Sequence, residues 1–263
     1  MPVESPAADW YKNFFAGAAL KLWRGANPQE ATEAEVGFLI DLLDLPEGGS
    51  VLDLPCGNGR LALPLALAGY TVTGIEYAAE FVQEAAAGAE DLRKLQEEAG
   101  ESLSGSAEFI EGDMLQLALH KKFDGAFCLG NSFGYFDRPG TKRFLQVVAD
   151  HLKPGARFVL DSSMVAETFL VNGGEREWVR VGEMLMLVEN KYDLADSRVD
   201  SEYIFIENGK SEARTATHWI YTTGELCKML EEAGFGDFEL FGSTDGEPFA
   251  LGSERLLLMA CKG

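Results

Sequence analysis

The chain has 263 residues, 46% of them hydrophobic and 25% charged, which suits one large α/β domain with an insertion and an ordinary globular composition. Its formal net charge of −21 repels phosphate backbones and anionic membranes, which argues against nucleic acid as substrate or membrane as partner. Cys56, Cys128, Cys227 and Cys261 include no C-x-x-C pair, the opening Met1-Pro2-Val3-Glu4-Ser5 has no secretory pattern, and no apolar run approaches a membrane span. These features argue against a disulfide scaffold or zinc site and point to the cytoplasm.

No internal repeat or low-complexity tract is visible. Residues 1–35 form an N-terminal segment with an aromatic run, Trp10-Tyr11-Lys12-Asn13-Phe14-Phe15, and then Trp23, at roughly helical spacing. Apolar residues outside a sheet core predict a lid that orders over a ligand; the alternative is a helix packed permanently on the core. Val36, Leu39, Ile40 and Leu43 predict a helix over 29–44, with Pro28 just inside its start.

Strands and helices then alternate. The pattern predicts strand 50–54, helix 60–68 closed by Gly69, strand 70–75, helix 78–95 and a polar stretch over 99–106. Strands 107–110 and 123–129, helix 141–152 before Pro154-Gly155, and strand 156–160 follow. After residue 165 the pattern changes to longer strands over 177–192, 199–207 and 210–221, the last two joined by the hairpin signal Asn208-Gly209. A helix over 223–233 ending at Gly234, and an antiparallel pair at 238–241 and 256–260, complete the chain. The expected fold is α/β and Rossmann-like: a seven-stranded, mostly parallel sheet with one antiparallel strand and helices on both faces. Residues 36–165 and 222–263 would build it, with an antiparallel β insertion over 166–221.

The segment Val51-Leu52-Asp53-Leu54-Pro55-Cys56-Gly57-Asn58-Gly59-Arg60 carries the chemistry. An apolar strand ends in an acid, passes through glycines that let the backbone approach a ligand, and opens a helix. In open α/β sheets, ligands bind beyond the carboxyl ends of the strands. Gly57-x-Gly59-x-x-Ala62 also fits a dinucleotide fingerprint, and Glu76, ending the second strand, suits ribose hydroxyls in either cofactor class. A dinucleotide loop, however, needs its helix N-terminus free for a pyrophosphate. The carboxylate of Asp53 suits instead a cofactor with an ammonium and a sulfonium.

Asp53-x-Pro55-x-Gly57-x-Gly59 resembles the first motif of class I S-adenosylmethionine-dependent methyltransferases, an acid followed by three alternating glycines, with Pro55 in place of the first. The resemblance implies S-adenosylmethionine as cofactor, with Pro55, Gly57, Asn58 and Gly59 along its methionine part and Asp53 positioning it. Glu76-Tyr77 resembles the ribose-binding position. Glu111-Gly112-Asp113-Met114 resembles the adenine loop, with Asp113 accepting from the exocyclic amine and Met114 packing on the ring. Leu129-Gly130-Asn131-Ser132-Phe133-Gly134-Tyr135 resembles the loop facing the reacting methyl, and Tyr11 and Trp23 are expected to close on the cofactor. The plan is similar to that of small-molecule N-methyltransferases acting on amino acids and amino-sugars. It implies methyl transfer to a nitrogen or oxygen of a small-molecule acceptor.

The loop at Asn131 is not Asn-Pro-Pro-Tyr, the form associated with amide or nucleobase nitrogens, and Asp137 and Asp161 make no oxygen-ligand cluster, so no metal is expected. Asn131, Ser132 and Tyr135 are the expected acceptor contacts. His120 and His151 read as structural or solvated. His218 lies with Trp219 and Tyr221 on the last insertion strand, where alternation sets His218 and Tyr221 on opposite faces. One of the two is the candidate base or orienting group; cross-strand packing is the alternative for His218. The insertion is expected to cap the site, to form a homodimer interface, or both. An NAD-type oxidoreductase using Gly57 and Gly59, and a non-catalytic cofactor-binding protein on the same fold, stay open.

Overall fold

The computed structural model describes residues 6–99 and 105–263. Residues 1–5, where no secretory pattern was read, and most of the polar stretch 99–106 lie outside the described residues. In chain order the elements are α1 (Tyr11–Phe14), α2 (Gly17–Gly25), α3 (Gln29–Leu43), β1 (Ser50–Asp53), α4 (Ala62–Leu67), β2 (Thr71–Glu76) and α5 (Ala79–Ala99). They continue with β3 (Ser106–Glu111), β4 (Phe123–Cys128), α6 (Arg138–His151), β5 (Leu152–Ser162) and α7 (Ala166–Asn172). The insertion strands β6 (Arg176–Val181), β7 (Met184–Asp193), β8 (Arg198–Glu207) and β9 (Lys210–Trp219) precede α8 (Thr223–Glu232), β10 (Phe235–Phe241) and β11 (Leu256–Lys262).

Seven strands form one sheet in the order β10-β11-β5-β4-β1-β2-β3. Its central pairs are parallel, and β11 runs antiparallel between β5 and β10, as expected. Alternate residues feed two cores. Val51, Phe127, Val159 and Met259 pack with Leu39 of α3 and Leu65 of α4. Leu52, Ala126, Phe158 and Leu258 pack with Phe144 of α6 and Leu226 of α8. A parallel sheet buried on both faces requires such near-continuous apolar strands. The strand order reverses between β4 and β1, and a crevice opens at the carboxyl ends there.

The strands β6-β7-β8-β9 form a separate antiparallel sheet. Val165 and Tyr221 bridge at its root, so the chain leaves and re-enters the core at one place. The run 177–192 is two strands, not one, because Gly182 (φ 56°) and Glu183 make a two-residue turn without an Asn-Gly or Asp-Gly pair to announce it. β9 stops at Trp219, so the alternation read over 217–221 breaks before Tyr221. α6 starts earlier than expected because Asp137 caps it, accepting from the Gly140 N–H at 2.9 Å. α7 fills a stretch where no element was expected. Pro28 stands at the N-cap of α3, and the division drawn after residue 35 falls inside that helix.

Candidate active site

The carboxyl ends of β1, β2, β4 and β5 open into one cavity of about 970 Å³, walled opposite by α2 and the β6–β7 hairpin. Ligand pockets span roughly 300–1,000 Å³, so this one has room for a nucleoside and a second small molecule. Backbone bonds pin the loop after β1: Leu54 N–H donates to the Phe127 carbonyl at 3.1 Å and Cys56 N–H to the Ile75 carbonyl at 2.9 Å. At Gly57 (φ 53°) a Cβ would meet nothing within 4 Å, which leaves open backbone toward the cavity. Gly59 differs. A Cβ there would stand 2.9 Å from Cζ of Phe109 and 3.2 Å from Cβ of Ala85. Gly59 is thus a packing residue behind the loop, which corrects its expected place along the cofactor.

Pro55, Asn58, Glu76 and Tyr77 line the cavity with Gly57. Glu76 Oε2 accepts from the Gly57 N–H at 3.0 Å and Oε1 from the Ala78 N–H at 2.8 Å. Burial raises its pKa while those N–H groups lower it. A carboxylate offers about four acceptor sites, so two bonds leave capacity for a diol. Asp53, 2% exposed, also lines the cavity; burial pushes its carboxyl well above the ordinary range, with Arg60 opposing and Glu76 adding. Met114 lines the end near β3, but Asp113 does not. Its carboxylate pairs with Lys12 at 3.1 Å and accepts from the Tyr11 hydroxyl at 3.4 Å and the Leu115 N–H at 2.9 Å. The Asp113 carboxylate, expected at the adenine, ties α1 to the loop after β3 and does not line the cavity.

Tyr11 and Trp23 line the cavity from the N-terminal side. The segment is wedged against the insertion, with the Phe14 ring 5.2 Å from Tyr203 and Trp23 6.1 Å from Phe205. Leu129, Gly130, Asn131, Ser132 and Tyr135 form the wall after β4. Asn131 (φ 57°) donates its N–H to Asp161 Oδ1 at 2.9 Å and accepts at Oδ1 from the Ser163 N–H at 2.8 Å, stitching that loop to the end of β5. The Tyr135 ring stands edge-on to Trp10 at 4.8 Å and to His218 at 5.4 Å. Burial raises its pKa, partly offset by the Ser132 hydroxyl.

His218 and Tyr221 do not line the cavity. His218 lies behind Tyr135, its Nδ1 without a partner and its pKa lowered by burial to about 4. With the Tyr135 ring between it and the cavity, the imidazole does not reach an acceptor. The Tyr221 hydroxyl donates to the Phe136 carbonyl at 3.2 Å and sits 3.2 Å from Thr141 Oγ1, with its pKa pushed by burial to about 12. It anchors the insertion's exit to the start of α6. Neither of the two side chains expected as base or orienting group lines the cavity. Among the described residues, no three His, Cys, Asp or Glu side chains are grouped to hold a metal, and no helix is long and apolar enough to cross a membrane.

Sequence reasoning missed a buried ion network at the same wall. Glu35 of α3, 5% exposed, pairs with Arg60 at 2.7 Å and Arg255 at 2.7 Å, and Arg255 lies 3.5 Å from Asp161. Burial pushes Asp161 up to about 6, against the Asn131 N–H and Arg255. Glu35 and Arg255 are 220 residues apart, so no spacing could join them. Arg60, directly after Gly59, was the one local signal.

Residues 51–155 match the family model described as a methyltransferase domain. The chain is 35% identical over 229 residues to the putative methyltransferase YqeM of Bacillus subtilis, covering 83% of this chain and 86% of that protein. It is 29% identical over 221 residues to the cypemycin N-terminal methyltransferase of Streptomyces sp., covering 81% and 83%. Its fold is shared with an S-adenosylmethionine-dependent methyltransferase from Clostridium acetobutylicum at a TM-score of 0.72, 20% identity and coverage of 92% and 95%. The fold also matches a SAM-bound amino pentose methyltransferase from Micromonospora echinaspora at a TM-score of 0.66, 16% identity and coverage of 95% and 99%. With its strand-end acids, open glycine loop and capped cavity, the chain belongs to the class I S-adenosylmethionine-dependent methyltransferases.

Proposed function

We propose that the chain transfers the methyl group of S-adenosylmethionine to an amine nitrogen of a small-molecule acceptor. The observation that carries this reading is the single cavity running from Gly57, Glu76 and Met114 to the Asn131–Tyr135 loop and Met186. Open backbone at Gly57, spare lone pairs on Glu76 and an apolar wall at Met114 suit a methionine chain, a ribose and an adenine in turn. When bound, S-adenosylmethionine supplies a methyl group on a sulfonium, an electrophile that needs no further activation. The chain's own residues then align the partners and exclude water. Tyr11 and Trp23 close one side, Asn131 and Tyr135 hold the acceptor nitrogen, and Val181 and Met186 shape the far wall. Alignment of this kind contributes about 7–11 kcal/mol.

Nitrogen is favoured because a hydroxyl acceptor would need a base, whereas an amine needs only to arrive unprotonated. Burial keeps the Tyr11 and Tyr135 phenols protonated, and His218 stands behind the wall. An amine is in keeping with a relative named for N-terminal methylation and a fold neighbour named for an amino pentose. The oxidoreductase alternative falls with the family membership, and the loop supplies a physical reason. The Gly57 N–H that a pyrophosphate would need is held by the Glu76 carboxylate.

The test is release of S-adenosylhomocysteine with a panel of amines, including amino-sugars and peptides with free N-termini, each paired with its hydroxyl analogue. Amine-dependent release is expected. Release with the hydroxyl analogues alone would overturn the choice of nitrogen. No release with any acceptor, from protein that still binds S-adenosylhomocysteine, would favour the non-catalytic alternative.

A further inference from the structure

The buried ion network runs into the acceptor loop. Asn131 stands in the left-handed region at φ 57°, after Gly130 at φ 86°. An L side chain adopts that region at some cost, so neighbouring bonds decide whether it is kept. Two bonds keep it here. The Asn131 N–H donates to Asp161 Oδ1 at 2.9 Å, and Asn131 Oδ1 accepts from the Ser163 N–H at 2.8 Å. An amide oxygen has two lone pairs, so one stays free for an acceptor N–H. The aim of that lone pair depends on both bonds.

Asp161 is 3% exposed, and its second oxygen lies 3.5 Å from Arg255 Nη1. Arg255 directly precedes β11, whose Leu257 pairs with Asp161. The same Nη1 donates to Glu35 Oε1 at 2.7 Å. Among the described residues, the Arg255 guanidinium has no partner besides Glu35 and Asp161. Glu35 is also held by Arg60 at 2.7 Å, so it keeps a cation when Arg255 is lost. Asp161 has no second ion pair. Burial favours its uncharged form and Glu35 adds to that; the Asn131 N–H opposes it first, then Arg255, then Arg60. An ionised carboxylate makes the stronger bond to an N–H, so Arg255 acts on Asn131 through Asp161.

We propose that Arg255 is a positioning residue for methyl transfer, holding Asn131 at the acceptor through Asp161. The inference rests on the Asn131 loop being the acceptor wall of a methyltransferase. Alignment is what such an enzyme supplies, and a misplacement of about 1 Å costs on the order of a hundredfold in rate. Arg255 itself lines the cavity. A direct hold on the acceptor would show in KM, whereas a hold on the loop shows in kcat.

Hydrogen exchange in the S-adenosylhomocysteine-bound chain reads the hold without turnover. The Asn131 N–H should be protected in the wild type, and Arg255→Gln should speed its exchange about tenfold or more while β1 and β2 stay protected. With an amine acceptor, Arg255→Gln should lower kcat about tenfold to a hundredfold and leave KM and S-adenosylhomocysteine affinity within about twofold. Arg255→Lys, which keeps the charge, should recover part of both losses. In an Asp161→Asn background, Arg255→Gln should lower kcat little further, because the route through Asp161 is already cut. If Arg255→Gln does not fold, Arg255→Lys and Asp161→Asn decide: each should speed exchange at Asn131 and lower kcat. Unchanged exchange at Asn131 in the folded Arg255 variants overturns the proposal. So does faster exchange with kcat unchanged, a rise in KM alone, or full additivity with Asp161→Asn. If the wild type binds S-adenosylhomocysteine but methylates no amine, the proposed function fails, and exchange at Asn131 decides the hold on its own.

Discussion

The cavity has two ends built by different means. At the cofactor end, Asp53, Gly57 and Glu76 sit on two adjacent parallel strands and the loop after the first, held by backbone bonds such as Cys56 N–H to the Ile75 carbonyl and by Gly57 N–H to the Glu76 carboxylate. At the acceptor end, Trp10, Tyr135 and His218 come from three distant segments that meet through ring packing and one backbone bond, Trp219 N–H to the Gly134 carbonyl at 2.7 Å. Strand-end chemistry is therefore set by local connectivity, and acceptor chemistry by how an N-terminal segment and an insertion happen to close over it. Variants at the two ends should separate accordingly.

The largest effect is expected from pH at the acceptor end. His218 titrates near 4 in the folded chain, below its ordinary 6.5, so between those values the unfolded chain binds more protons and stability is lost as pH falls. The loss is about 3 kcal/mol. Asp161 works in the opposite sense: its folded value of about 6 exceeds the ordinary 3.8, so its contribution grows as pH falls through that window. The two nearly cancel in the wild type. His218→Phe removes only the first, so urea denaturation at stepped pH should show the variant gaining on the wild type as pH drops from 6.5 toward 4. Parallel curves would mean that His218 is not buried as a neutral ring.

At the cofactor end, Glu76→Ala should weaken S-adenosylhomocysteine binding about thirtyfold, since charge-assisted hydrogen bonds are worth ~2 kcal/mol. Tyr135→Phe should leave that affinity nearly unchanged. Equal losses in the two variants would dissolve the division. Gly59→Ala, with φ 81° and Phe109 in the way, should cost about 1–2 kcal/mol of stability in thermal melts. The smallest effect is expected at Tyr221→Phe, which loses a hydrogen bond outside the cavity and should cost about 1 kcal/mol of stability. Turnover should be unaffected; a clear drop would return Tyr221 to the site.

The same division explains what was legible beforehand. The sheet, its antiparallel strand and the acids ending β1 and β2 could be read because each is a contiguous strand–loop–helix unit. The pairing of Asp113 with Lys12 was not legible, since nothing local shows that Lys12 will reach it. His218 and Tyr221 look catalytic on a strand, and only tertiary packing reveals one behind Tyr135 and the other bonded to Phe136. Glu35 and Arg255 meet through the fold of the whole chain, and the Gly182-Glu183 turn sits unmarked in an apolar run.

Titration calorimetry of the unaltered chain with S-adenosylhomocysteine, and separately with NAD, tests the cofactor assignment most directly. One S-adenosylhomocysteine site per chain and no heat from NAD are expected, because Glu76 holds the Gly57 N–H that a pyrophosphate would require. NAD binding in that cavity, or folded protein that takes up no S-adenosylhomocysteine, would contradict it.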